Sequence, residues 1–316
     1  MKSFSILWML LLTVSCFSST STQEKQTDQT NDTSSYTCTI PITKLTSTQN
    51  PCVEILIENK PFTVDLDLGF KGAISILDTS IDQILSKTLI GTELRTNILG
   101  KQYLINLYSL PEFKIGTINF SQFILLERNT KFINDVYFST EQDVKHPTEV
   151  QGSLGWELFY NSTLLIDIKN LKIVVSDSLE TLQQQGFSVD ELIKTPLFTE
   201  RGLVELETET NNGPMLCVLD TGCTLSVINS DDDNNKSVGE RFLDPENVSV
   251  FSVFKVGENN FGPISFRNIP IKTPFRIEAI LGMDFFENHV VVLDFVNKFV
   301  YLSKSSTTTE KSNLLP

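Results

Sequence analysis

Two aspartates in matching surroundings are the residues of this chain best suited to chemistry. The stretch "PMLCVLDTGCTLSVI", Pro214 to Ile228, carries Asp220 at the end of an apolar strand, directly before Thr221 and Gly222. A carboxylate taken into a core is costly unless it is paired or used, so a second acid is expected. It stands in "NKPFTVDLDLG", Asn59 to Gly69, which aligns without a gap on "NGPMLCVLDTG", Asn212 to Gly222, and sets Asp67 on Asp220 and Gly69 on Gly222. Each segment ends an apolar strand in Asp-x-Gly, where glycine lets another backbone approach closely. Two carboxylates within about 3 Å cannot both ionise, so one keeps a proton while the other stays charged. Such a pair holds a water, with the anion as general base and the acid as proton donor to a carbonyl oxygen. That is amide hydrolysis with no cofactor and no metal.

Other chemistries find little support. Only His146 and His289 are available as histidines and no cysteine pair has metal-ligand spacing, which argues against a zinc enzyme. Neither a Gly-x-Ser-x-Gly elbow nor a Cys-His partnership is visible. "ILDTS", Ile76 to Ser80, offers Asp78 beside a hydroxyl but has Ser80 where the turn needs glycine, so Asp67 is preferred. Asp65, two residues before Asp67, is expected to face solvent at the edge of its lobe.

The elements that position the two acids are themselves duplicated. A second ungapped match lays "GSLGWELFYNSTLLIDIKNLKIVVS", Gly152 to Ser176, over "AILGMDFFENHVVVLDFVNKFVYLS", Ala279 to Ser303. Each repeat opens with a hairpin and Asp-x-Gly and closes with Leu-Gly, a short helical turn and a final hairpin. Between these landmarks β-branched and aromatic residues are punctuated by Gly, Pro and Asn, and helix is sparse. The expected fold is all-β: two similar closed β-barrel-like lobes related by pseudo-twofold symmetry, so that Asp67 and Asp220 meet at the interface. The lobes are placed at 37–177 and 201–304, with an interlobe linker at 178–200. Helical turns are expected in "DTSIDQIL" and in "SVDELIK", the latter from a capping box of Ser188 and Glu191. "DDDNN", from Asp231, reads as a solvated loop.

These segments resemble the retropepsin-like and pepsin-like aspartic proteases, in the form with both lobes in one chain. "VLDTGCTLSVI" matches the family's apolar-apolar-Asp-Thr-Gly and following strand, and "AILGMDFF" with "VVLDFVNKFVYL" matches its later apolar-apolar-Gly landmark and closing hairpin. "PFTVDLDLG" is similar to the strand leading into the first catalytic turn, and the likeness runs from about Cys52 to Ser303. The resemblance implies that Asp67 and Asp220 are catalytic and that Gly69 and Gly222 shape the turns. It implies that Thr221 supplies a hydroxyl locking one lobe's turn to the other's backbone. The first turn departs from the pattern, since Leu68 has no hydroxyl to offer. It further implies a flap from the "NILGKQYLINLYS" hairpin, with Tyr103 or Tyr108 as lid residue, and an extended peptide or protein as substrate. The alternative on the same scaffold is a catalytically impaired protein that binds peptides or envelope partners.

Composition sets the remaining bounds. With 316 residues, 40% hydrophobic and 20% charged, the chain is long enough for two lobes with their own cores. A formal charge of −14 disfavours nucleic acid as a partner, because phosphate backbones need clustered Lys and Arg. "MKSFSILWMLLLTVSC" places a lysine before a short apolar run, as in an export signal over residues 1–16. Residues 17–36 form a polar tract with the composition of a flexible tether, and 305–316 read as a disordered tail. Either Cys16 is the lipid-modified first residue of a bacterial envelope lipoprotein, or the signal is cut nearby and the product is secreted or periplasmic. The extracytoplasmic setting allows a disulfide between Cys38 and Cys52, whose other reading is as small buried residues. Cys217 and Cys223 are expected to pack rather than bond. The protein is expected to act as a monomer.

Overall fold

The computed structural model describes residues 35–46, 49–97, 100–129, 150–230, 241, 244–273 and 276–304. The expected export signal, Cys16, the acidic run from Asp231 and the C-terminal tail all lie outside these residues. The first half contributes β1 (Thr37–Pro41), β2 (Lys44–Leu45), β3 (Pro51–Ile57), β4 (Lys60–Asp67), β5 (Ile74–Leu77), β6 (Thr88–Thr96), β7 (Gln102–Ile115), β8 (Ile118–Arg128), β9 (Gly152–Gly155), β10 (Thr163–Asp167) and β11 (Lys172–Ser176). The second contributes β12 (Ile193–Pro196), β13 (Glu205–Thr210), β14 (Gly213–Leu219), β15 (Val227–Asn229), β16 (Val248–Phe251), β17 (Phe254–Val256), β18 (Asn259–Asn260), β19 (Ile264–Ile269), β20 (Ala279–Leu281), β21 (Val291–Asp294) and β22 (Phe299–Leu302). Among the described residues, no helix is long and apolar enough to cross a membrane.

The fold is all-β and two-lobed. An eight-stranded sheet in the order β2-β3-β4-β9-β5-β8-β7-β6 builds the first lobe, and one in the order β16-β19-β15-β20-β14-β13-β17-β18 builds the second. Their centres are wired alike. Strand β4 follows β3 through Glu58 and Asn59, both at positive φ as a tight hairpin turn requires, and then lies parallel to β9. In the second lobe β14 follows β13 and lies parallel to β20. Along β4 the alternation of side chains sends Phe62, Val64 and Leu66 into the apolar core and turns Asp65 and Asp67 to the other face. Both faces are buried, so the strand reads as nearly continuous apolar sequence interrupted by the two acids.

A third sheet, β1-β11-β10-β21-β22-β12, joins the halves. In it β10 pairs antiparallel with β21, with Leu165 opposite Val292. These are the same position of the two aligned segments that begin at Gly152 and Ala279. A strand pair that sets a residue against its own repeat mate straddles a twofold axis. The closing hairpins match in detail: Asn170 donates from its backbone and side chain to Asp167 at 3.1 and 2.7 Å, and Asn297 does the same to Asp294 at 3.0 and 2.9 Å.

Two expectations are corrected. The stretch from Ser188 forms no helix: the helix of this region is Leu179–Gln184, capped by Ser178, whose hydroxyl accepts the Thr181 N–H at 3.1 Å. Ile193 and its successors instead pair with β22, so the 178–200 segment also gives a strand to the joining sheet. Strand pairing along a buried edge outweighs the capping signal. Cys38 and Cys52 are not bridged: they sit in different sheets, and their thiols donate to the carbonyls of Thr39 and Asn50.

Candidate active site

Strands β4 and β14 deliver Asp67 and Asp220 to the seam between the lobes, and both side chains are fully buried there. Each turn glycine lies against the other lobe's acid. A side chain at Gly222 would begin 2.5 Å from the Asp67 carboxylate, and one at Gly69 would collide with the carboxylate of Asp220. Glycine is required at both places because the backbone forms one wall of the opposite carboxylate's site. The Gly222 N–H donates to Asp220 Oδ1 at 2.7 Å and the Gly69 N–H to the same oxygen at 3.2 Å. The hydroxyl of Thr221 donates to the Leu66 carbonyl at 2.7 Å and accepts the Leu68 N–H at 3.1 Å, tying the second turn to the first strand. Leu68 is buried among apolar side chains and has no hydroxyl with which to return these bonds.

The two acids are unequal. Asp220 receives two backbone donors, while among the described residues neither oxygen of Asp67 meets a protein N–H or O–H. The carboxyl group of Asp220 shares the buried seam with Asp67, each acid lying against the other's glycine turn. Burial pushes Asp220 up to about 7, against the pull of the Gly222 and Gly69 donors. Asp67 is held well above the usual carboxylate range by burial, then by the charges of Asp220 and Asp65, with Arg128 opposing. The pair therefore titrates together, Asp220 being the better anion and Asp67 the better proton holder.

Two further charged residues stand beside the pair. Asp65 is buried beneath the seam rather than exposed at the lobe edge, which corrects the expectation for it. Arg128, at the end of β8, is also buried, and its Nη2 lies 3.9 Å from Asp67 Oδ2. Sequence reading missed Arg128, which sits in no repeated motif and reaches Asp67 only through the order of strands in the sheet. Asp78 follows β5 and hydrogen-bonds through its N–H to the Arg128 carbonyl at 2.9 Å; Asp67, not Asp78, faces Asp220.

The expected flap is the hairpin of β6 and β7. Its Arg95 donates to the Lys71 carbonyl, just past the first Asp-x-Gly turn, at 2.9 Å, and Gly100 near its tip packs against Lys272 of the second lobe. The hairpin thus reaches from one half to the other. Tyr103 lies opposite Arg95 in the hairpin register and shares its face. Tyr108 is engaged elsewhere, its hydroxyl donating to Glu127 at 2.7 Å. A groove of about 570 Å³, lined by Met215, Phe251, Arg276 and Glu278 among others, belongs to the second lobe and includes neither acid. Among the described residues no three His, Cys, Asp or Glu side chains converge as metal ligands.

No family model matches the chain, and no curated protein matches it either. Among solved structures it is similar to the basic 7S globulin from soybean, at 12% identity and a TM-score of 0.55, over 90% of this chain and 100% of that one. At that identity the likeness speaks for the fold alone.

Proposed function

We propose that the chain is an aspartic endopeptidase, of the kind its sequence resembles, acting on extended peptide or protein segments as an exported monomer. The observation that carries this reading is the crossed arrangement in which each carboxylate rests against the other half's glycine turn. In the active form Asp220, charged and held by the Gly69 and Gly222 N–H groups, takes a proton from a water lying between the acids. The oxygen attacks the peptide carbonyl carbon as protonated Asp67 donates to the carbonyl oxygen, giving a neutral gem-diol. Proton transfer from Asp220 to the amide nitrogen, with return of a diol proton to Asp67, breaks the C–N bond and restores the starting charges. No acyl-enzyme forms.

A second reading, a catalytically impaired peptide-binding or envelope-partner protein, draws on Leu68, which leaves one side of the lobe lock unmade. The test is to incubate the protein with a mixed peptide library between about pH 3.5 and 9, beside Asp220→Asn. Cleavage by the parent alone supports hydrolysis. Peptide retention without cleavage by either protein favours the second reading. By the same sequence argument, we propose an extracytoplasmic location, with Cys16 as the lipid-bearing residue of an envelope lipoprotein.

A further inference from the structure

Three acids and one arginine share the buried seam, and one face of the first lobe's sheet collects the polar ones. Asp65 on β4 stands in register with Ser153 on β9, which stands in register with Ser75 on β5. Two residues further along, Leu77 on β5 is in register with Arg128 on β8. The guanidinium bonds through Nη1 to the Ser153 hydroxyl, and among the described residues its Nε and Nη2 have no hydrogen-bond partner, nor has Asp65 Oδ1. Ser153 and Asn50 are the hydrogen-bonding neighbours of Asp65, and Asn50 also reaches across the seam to the Gly222 carbonyl at 3.3 Å.

The second lobe shows what this row looks like without charge. The matching registers put Val218 at the place of Asp65, Ile280 at Ser153, Val227 at Ser75 and Ile269 at Arg128, all fully buried. The same framework thus packs with an apolar row. A buried, incompletely satisfied ionic row is ordinarily no more stable than its apolar replacement, so stability does not account for it. What distinguishes the first lobe is Asp67, the acid to which no backbone donor points, and the row's cation ends 3.9 Å from it.

We propose that Arg128 is a positioning residue for the acid pair: held by Ser153, it aligns the outer oxygen of Asp67 and offsets Asp65, so that the pair keeps one negative charge and one proton. The charge count supports this. Burial holds Asp65 above the usual carboxylate range, with Arg128 opposing; once Asp65 has ionised, its charge cancels that of the guanidinium and the seam carries the single charge of a half-protonated pair. The groups facing Asp67 are Asp65 from β4, Arg128 from β8 and Asp220 from the second turn. Cys223, next to Gly222, has its thiol pushed well above the usual range by burial and then by Asp220, so it adds no charge. The inference deepens the proposed hydrolytic function and rests on it for its purpose, although the charge relationship is measurable without turnover.

The experiment follows the carboxyl resonances of ¹³C-labelled aspartate in the full chain from about pH 3 to 9, with Asp67→Asn and Asp220→Asn as assignments. In Arg128→Met the ionisation of the pair should move upward by about one pH unit or more, in Asp65→Asn downward, and in the double variant back toward the parent. A merely structural arginine would not produce opposite shifts that cancel. Unchanged ionisation in folded Arg128→Met and Asp65→Asn would overturn the proposal. If Arg128→Met does not fold, Arg128→Gln decides: an upward shift of the pair supports it and none overturns it. The outcomes are separable from the hydrolytic reading, since a parent that cleaves nothing defeats that reading while leaving the shifts intact. A cleaving parent with unmoved titrations defeats this inference only.

Discussion

Thr221 donates its hydroxyl across the seam to the Leu66 carbonyl at 2.7 Å and accepts the Leu68 N–H at 3.1 Å, and the side chain of its counterpart Leu68 has no hydroxyl to return the bond. Its side chain therefore ties the two Asp-x-Gly turns together, beside the Gly69 N–H on Asp220 and the Asn50 amide on the Gly222 carbonyl. Replacing it with valine keeps the shape but leaves the buried Leu66 carbonyl and Leu68 N–H unpaired. Thr221→Val should lose about 1–3 kcal/mol of unfolding free energy, whereas Thr221→Ser should retain most of it. Chemical denaturation of the three proteins checks this, and equal stability of parent and valine variant would refute the lock.

The missing half of the lock predicts a gain of function. Thr221 bridges Leu66 and Leu68, so by symmetry a threonine at position 68 has the Leu219 carbonyl as its acceptor. Leu68→Thr should raise kcat for peptide cleavage more than it changes KM, because the hydroxyl fixes the acids rather than the substrate. A folded variant with unchanged kcat would show that the absent hydroxyl does not limit the rate.

The buried acids also set a pH dependence of stability. The native pKa of Asp220, about 7, lies above the value of an unfolded aspartate, so between these values the native state binds a proton that the unfolded chain has lost. The sign follows: stability from this group is fully present below about pH 4 and is lost as pH rises through about 7. Asp220→Asn removes the effect and should gain on the parent by roughly 4 kcal/mol across that window. Calorimetry of both proteins at pH 4 and 8 measures it, and parallel curves would contradict the raised pKa.

Much of this site was legible in the sequence because duplication exposes geometry. The ungapped repeats placed Asp67 on Asp220, and the strand pair with Leu165 opposite Val292 realises the twofold relation they implied. The hydroxyl bond of Thr221 and the lack of one at Leu68 were equally readable. Arg128 was not, because its approach to Asp67 depends on which strand lies beside which in a mixed sheet, and no periodicity carries that order. Asp65 was half legible: alternation puts it on the face of Asp67, but only the register with Ser153 shows that face to be sealed. The helix expected from Ser188 failed because Ile193–Pro196 completes the joining sheet.

The anchor proposal has its own assay. Cells expressing the parent and fed a labelled fatty acid should incorporate label into the protein, and Cys16→Ala should abolish it. Equal labelling of both proteins, or of neither, would remove Cys16 as a lipid site.

The central claim is that the first-half acid, in its atypical Asp-Leu-Gly turn, takes part in the chemistry with Asp220. The direct measurement is the cleavage rate of Asp67→Asn on a peptide that the parent cuts, with folding verified by its unfolding transition. A fall of at least about a thousandfold is expected. A folded Asp67→Asn protein that cleaves at the parent's rate would contradict it.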